Sequence, residues 1–221
     1  MARDYLDTVK RRVVIFDGGM GATLEQYDLT SEDYGGLPGK CHEALVLHRP
    51  DVIQGVHESM VAAGAEALQT DTFQASRLKL DEWGLGEHTL EINQKAAEIA
   101  RKAAGENNFV AGSIGPTGHL PASDDPTLGK ITFGELVEVF TQQATGLVKG
   151  GSDLLIIETA QDILGSRPRS SARARRSKRP AAPSRSSARS HCCPTAARCC
   201  WAPTSRRCSR HSPPSTSTCW G

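Results

Sequence analysis

Acidic and hydroxyl-bearing residues stand directly after short apolar runs at four places in this 221-residue sequence. Asp17 follows Val13-Val14-Ile15-Phe16, Thr70 and Asp71 follow Ala67-Leu68-Gln69, Ser113 closes Phe109-Val110-Ala111-Gly112, and Glu158 follows Leu154-Leu155-Ile156-Ile157. Polar groups repeated at strand ends line a ligand pocket rather than a core. Gly18, Gly19 and Gly21 after the first run let the backbone turn tightly and approach a ligand. Each residue also has a plainer reading. Asp17 caps the following helical turn in one, and Thr70, Asp71 and Thr72 satisfy loop backbone groups in another. Ser113, Gly115 and Pro116 shape the wall of such a pocket. Gly19-Met20-Gly21-Ala22-Thr23-Leu24 is a poor dinucleotide fingerprint, since Leu24 takes the place of the third glycine. His42, His48, His57, His88 and His119 have no metal-ligand spacing, so the sequence assigns no metal ligand and no catalytic residue.

The elements that position these residues alternate. Apolar runs of four to six residues bounded by turn formers read as strands buried on both faces, beginning near 13, 67, 109 and 154. Between them, Ala22 to Tyr27 suits a short helix, and Asp28 to Cys41 reads as a long loop. Pro50 and Asp51 open a helix with Val52, Val56 and Met60 on one face, closed by Gly64. Leu90 to Ala104 suits a helix with Gly105 as a left-handed cap. Thr132 and Glu135 have capping-box spacing before a helical face that ends at Gly150-Gly151. Strand and helix in alternation build a parallel sheet of the α/β class. Both an open doubly wound sheet and a closed barrel fit, and polar groups at all four strand ends favour the barrel. Four units would be half of a (β/α)8 TIM barrel.

Composition divides the chain at Leu164. Residues 1–164 hold all 25 acidic residues and 13 of the 26 Lys and Arg, a net −12, whereas residues 165–221 carry +13. The second part has 12 Arg, 13 Ser, 7 Pro and 6 Cys, and no Asp, Glu, Leu, Ile, Val, Met or Phe. With nothing larger than Ala to bury among its aliphatics, it cannot offset the entropy of ordering its backbone and is expected to be disordered. Out-of-frame translation of a GC-rich gene produces this mixture; a genuine basic tail is the alternative. Cys192-Cys193 and Cys199-Cys200 lack the Cys-x-x-Cys separation of a zinc knuckle. Cys41, alone among the first 164 residues, excludes a disulfide framework there. Neither a secretory signal nor a membrane-spanning run is present, so a cytoplasmic protein without a membrane partner is expected.

Four ordered stretches carry a resemblance to a known family: Val14 to Gly21, Gln69-Thr70-Asp71-Thr72-Phe73, Gly112 to Thr117, and Gly151 to Thr159. Over about residues 10 to 164 they resemble the homocysteine-binding domain of cobalamin-dependent methionine synthase. The resemblance implies an eight-stranded β/α barrel and methyl transfer to the sulfur of homocysteine. It implies that Asp17 and Glu158 meet the substrate's ammonium group, that amides around Gly18 and Gly19 receive its carboxylate, and that Thr70, Asp71 and Ser113 line the same pocket. The implied cofactor is zinc held by three cysteine thiolates, which would stabilise the attacking thiolate. The Gly-x-Asn-Cys and Gly-Gly-Cys-Cys stretches that supply those thiolates do not occur here. Cobalamin and methyltetrahydrofolate act in the family through modules not found in this sequence, so the methyl donor is not readable.

The expected assignment is therefore residues 1–164 as the first half of a homocysteine S-methyltransferase barrel and 165–221 as an unrelated extension. The chain as written is expected to be inactive and to self-associate through unpaired sheet edges. The rival is a nucleic-acid-associated protein whose +13 tail binds phosphates by counterion release. Two aromatics, Trp201 and Trp220, and no recognised binding motif argue against a specific nucleic-acid partner.

Overall fold

The computed structural model describes residues 4–37, 41–119 and 131–160. Seven α-helices and three strands run through them: α1 (Tyr5–Val9), α2 (Met20–Leu24), α3 (His42–His48), α4 (Pro50–Ala62), β1 (Ala67–Gln69), α5 (Arg77–Asp81), α6 (Thr89–Ala104), β2 (Phe109–Ile114), α7 (Phe133–Lys149) and β3 (Leu154–Ile157). The fold is α/β. The strands form one parallel sheet in the order β1-β2-β3, with Ala67 opposite Phe109 and Ala111 opposite Leu154. Phe16 extends the sheet by a single parallel bridge to Ala67. Spatial order thus follows chain order, and among the described residues the sheet nowhere reverses.

The two faces of the sheet bury different partners. On one, Tyr5 of α1 packs edge-on against Phe16 and Phe109, with ring centroids 6.2 and 5.4 Å apart, in a cluster with Ala67, Ala111, Leu154 and Ile156. On the other, Leu68 and Val110 meet Val52, Ile53 and Val56 of α4 and Ala100 of α6, while Ile114 and Leu155 meet Leu136, Phe140 and Leu147 of α7. Strand β2 is buried along its whole length, as its unbroken apolar run requires.

The first run departs from expectation. Val13 is 82% and Ile15 57% exposed, so this segment is not buried on both faces. Side chains alternate along an extended segment. Val14 and Phe16 join the Tyr5 cluster, and Val13 and Ile15 project away from it. Two backbone bonds hold the segment to β1: Ala67 donates to Ile15 O at 3.1 Å, and Asp17 donates to Ala67 O at 3.0 Å.

Helix boundaries follow local chemistry. Pro50 occupies the first turn of α4, where its missing N–H costs nothing, and Gly64 just beyond adopts φ 101°. Thr132 and Glu135 form the expected capping box at the start of α7. Gly105 does end α6, but at φ 58°, ψ −151°, a glycine conformation other than the expected left-handed helical one. The short helix expected at Ala22 to Tyr27 begins earlier, at Met20, and the expected long loop contains a 3-10 turn at Ser31–Tyr34. Helices α1, α3 and α5 had no counterpart in the sequence reading. The basic extension, with its cysteines and the nucleic-acid alternative it carries, lies outside the described residues.

Candidate functional site

A cavity of about 370 Å³ opens where the parallel strands end, and Asp17, Gly18, Gly19, Thr70, Asp71, Ser113 and Glu158 all line it. These are the seven residues that the family resemblance implies for the substrate pocket, and the fold brings them together. Parallel strands place all their carboxyl ends on one side, so residues up to 141 positions apart, such as Asp17 and Glu158, share a wall.

The side chains make different use of that position. Asp17 does not cap a helix: the N-cap of α2 is Gly19, which makes no side-chain cap bond. Its carboxylate reaches across to β1 instead, where Oδ2 accepts from the Gln69 amide at 2.7 Å and Oδ1 from Gln69 Nε2 at 3.4 Å. Burial raises the Asp17 pKa to about 6, against the two bonds from Gln69, which favour the charged form. Glu158 accepts a short hydrogen bond from the Ser113 hydroxyl. The Ser113 amide donates to Thr70 Oγ1 at 3.0 Å, and Thr72 Oγ1 donates to Ser113 O at 2.8 Å. Thr70 and Thr72 therefore satisfy backbone and each other, at 2.6 Å between hydroxyls, and tie the loop after β1 to β2. Asp71 is buried as they are, but its Oδ2 has no hydrogen-bond partner.

Several lining residues were missed. Cys41, His42 and Glu43 enter from the start of α3, and Phe73, Gln74 and Trp83 from the segment after β1. Glu43 is 6% exposed; its Oε1 accepts from the Gln74 amide at 2.7 Å and its Oε2 faces Cys41 Sγ at 3.8 Å. No sequence signal marks it, because a Glu in the first turn of a helix ordinarily complements the helix dipole at the surface. Gly115 and Pro116, read from the sequence as pocket wall, are not among the lining residues; a Cβ on Gly115 would lie 2.3 Å from Phe73 O, so only glycine there lets its segment meet Phe73, which does line the cavity.

The cavity is acidic. Asp17, Glu43, Asp71 and Glu158 line it with His42 and without any Lys or Arg among the described residues. His42 Nε2 lies 3.7 Å from Glu25 Oε1. Such a lining suits a ligand with a cationic centre.

Zinc does not fit what surrounds this cavity. Among the described residues no group of three or more His, Cys, Asp or Glu is arranged to hold a metal ion. Burial, reinforced by the Glu43 charge, pushes the Cys41 thiol up to about 12, the opposite of what a thiolate ligand needs. Nor is any described helix long and apolar enough to cross a membrane.

Comparison with known proteins matches the same region. The profile of the family described as "Homocysteine S-methyltransferase" aligns with residues 14–187, past the compositional change at Leu164. The methionine synthases of Mycobacterium tuberculosis and Mycobacterium leprae are 37% and 35% identical over 167 residues, 73% of this chain. The chain spans only 14% and 13% of their length. Among solved structures, the metallated form of the homocysteine methyltransferase MmuM from Escherichia coli superposes with a TM-score of 0.63 at 24% identity, covering 78% of this chain and 62% of that one. The oxidised form gives 0.58 at 25% identity, covering 72% and 57%.

Proposed function

The chain belongs to the homocysteine S-methyltransferase family, and on that premise we propose that residues 14–160 are the first four β/α units of a (β/α)8 barrel that binds homocysteine at the carboxyl ends of its strands. The observation that carries this reading is the convergence of residues from four separate strand ends, Asp17, Thr70 with Asp71, Ser113 and Glu158, on one acidic cavity. Sequential strand order supports a barrel over a doubly wound sheet, whose order reverses at the ligand site.

In this reading Asp17 and Glu158 accept hydrogen bonds from the substrate's ammonium group, and the backbone amides at Gly18 and Gly19 donate to its carboxylate. Each residue is already oriented: Asp17 by Gln69 and Glu158 by Ser113. Orientation before binding lowers the entropy lost when the ligand docks. The reaction served is methyl transfer to the homocysteine sulfur, in which a sulfur lone pair forms the new S–CH₃ bond as the donor's bond to that methyl breaks. A free thiol has a pKa of about 8.5 and is mostly protonated at neutral pH. None of the described lining groups is placed to hold a thiolate, so binding without turnover is the activity assigned to this chain by itself.

Calorimetry with the full chain and L-homocysteine tests the binding. Asp17→Asn and Glu158→Gln should each weaken affinity by about ten- to a hundredfold, the loss typical of a charge-assisted bond. Wild-type affinity should also decline as pH falls through about 6, where Asp17 takes up a proton. Unchanged affinity in both variants would remove the substrate assignment. A methionine-formation assay with zinc, homocysteine and methyl donor added should show no turnover. Turnover, or one tight zinc per chain perturbed by homocysteine, would mean that the cysteines beyond residue 190 supply the ligands.

A further inference from the structure

The four carboxyl groups of the cavity are not equivalent, and the difference bears on how a carboxylate-bearing ligand could enter so acidic a space. Glu43 is provided with donors on both oxygens, the Gln74 amide on Oε1 and the Cys41 thiol on Oε2. Hydrogen bonds of that kind favour the charged form. Asp17 has two donors from Gln69, and Glu158 has the Ser113 hydroxyl. Asp71 is as buried as Glu43, yet its Oδ2 receives nothing from the protein. An unpaired, buried carboxylate beside a second carboxylate would be costly, whereas a protonated carboxyl needs only an acceptor. Asp71 lines the cavity with Oδ2 itself closed off from that space, so it is through its other oxygen, Oδ1, that a protonated carboxyl can find the acceptor in a ligand.

We propose that Asp71 is held as a neutral carboxylic acid beside the Glu43 carboxylate and donates a hydrogen bond to the carboxylate of the bound amino acid, together with the amides at Gly18 and Gly19. Burial and then the Glu43 charge both push the Asp71 proton affinity up, well above the ordinary carboxyl range, with no opposing contribution. For Glu43 burial acts the same way and leaves its proton affinity raised as well, but there its own amide, the Gln74 amide, His42 and Cys41 all pull back, so that of the two carboxyl groups Asp71 is the one with nothing to hold its anion. The titratable groups that share the cavity with Asp71 are Glu43, Cys41 and His42 from the α3 side, Asp17 before α2 and Glu158 after β3. No Lys or Arg among the described residues lines it to stabilise an Asp71 anion. The ligand's carboxylate would otherwise face four carboxyl groups, offset only by His42 and by neutral hydroxyl, amide and indole donors. A neutral acid turns one repelling neighbour into a donor. The ligand part of this inference rests on the homocysteine reading; the protonation part does not.

Two measurements on the full chain separate these parts. With aspartate labelled at the carboxyl carbon, wild-type protein free of ligand should show at pH 7 one aspartate resonance in the protonated position, absent from Asp71→Asn. Full ionisation of the aspartates at pH 7 would overturn the proposal without any variant having to fold. By calorimetry, Asp71→Asn, which keeps an N–H donor in nearly the same shape, should bind L-homocysteine within about threefold of wild type, while Asp71→Val should lose about tenfold or more. A loss of tenfold or more in Asp71→Asn would make Asp71 an ionised acceptor and overturn the proposal. Absence of homocysteine binding in wild type would instead sink the proposed function and this ligand assignment with it, and the resonance would still decide where the proton sits.

Discussion

The layer of α6 and α7 and the rim of the cavity solve opposite problems. In the helical layer the two backbones approach until only glycine fits: a Cβ on Gly146 would lie 2.7 Å from Leu90 O, and one on Gly150 2.2 Å from Gln94 O. Ala97 continues the small face on α6, its Cβ lying 2.6 Å from where a Cβ on Gly150 would stand. At the rim, carboxyl groups are buried in place of methyl groups, and Asp17, Glu43 and Asp71 carry proton affinities raised by burial. Close packing optimises stability in the first region; preorganised polar groups forgo some of it in the second.

That contrast can be broken by filling the close approach. Gly150→Ala should cost about 3 kcal/mol, at the upper end for overpacking, because the obstructing atom is a backbone carbonyl that cannot swing aside. Gly150 sits at φ −75°, so strain in the backbone conformation adds nothing. Thermal melting of the two proteins reads the effect directly, and a melting temperature within a degree of wild type would mean that the helices slide apart freely.

Acid sharpens it. His57 of α4 is fully buried with neither ring nitrogen hydrogen-bonded, and burial lowers its pKa from 6.5 to about 4. A depressed folded-state pKa gives stability that is complete above pH 6.5 and drains as pH falls toward 4. At 1.36 kcal/mol per pKa unit the loss is about 3 kcal/mol. Urea titrations between pH 7.5 and 4 should show this slope in wild type and its removal in His57→Leu; equal slopes would contradict the buried neutral histidine.

The rim should respond in the other direction, and less. Asp17 has a raised pKa of about 6, so its contribution is complete below 3.8 and is lost as pH rises through 6. Asp17→Asn should therefore be more stable than wild type at pH 7.5 by about 2 kcal/mol, reduced from the full shift because the group is only partly enclosed. The gain should vanish near pH 4. A variant that gains stability while losing homocysteine would mark Asp17 as held for function; one that loses both would make it a structural tie between Phe16 and β1.

Sequence and structure agree best where a local rule decides. Apolar runs bounded by turn formers place β2 and β3, the Thr132–Glu135 spacing starts α7, and Pro50 starts α4. Each depends on neighbours within four positions. Agreement fails where burial depends on what lies opposite. Val13 and Ile15 have the same apolar character as the β2 residues, yet they stay exposed because that side of the segment has no apolar surface against it. Glu43 is the reverse case, a residue whose type predicts the surface and whose position puts it in the cavity.

The sequence by itself determined the alternation of strands and helices, the family, and the identity of seven cavity residues, since turn formers after apolar runs mark strand ends wherever those strands later pair. Tertiary structure alone decided that Asp17 binds Gln69 rather than capping a helix, that Glu43 and Cys41 join the site, and that Asp71 is left without a partner. The reason is physical. Hydrogen-bond partners 31 to 52 residues apart, and the burial that sets a carboxyl group's proton affinity, are properties of surroundings that form only when separate elements pack together.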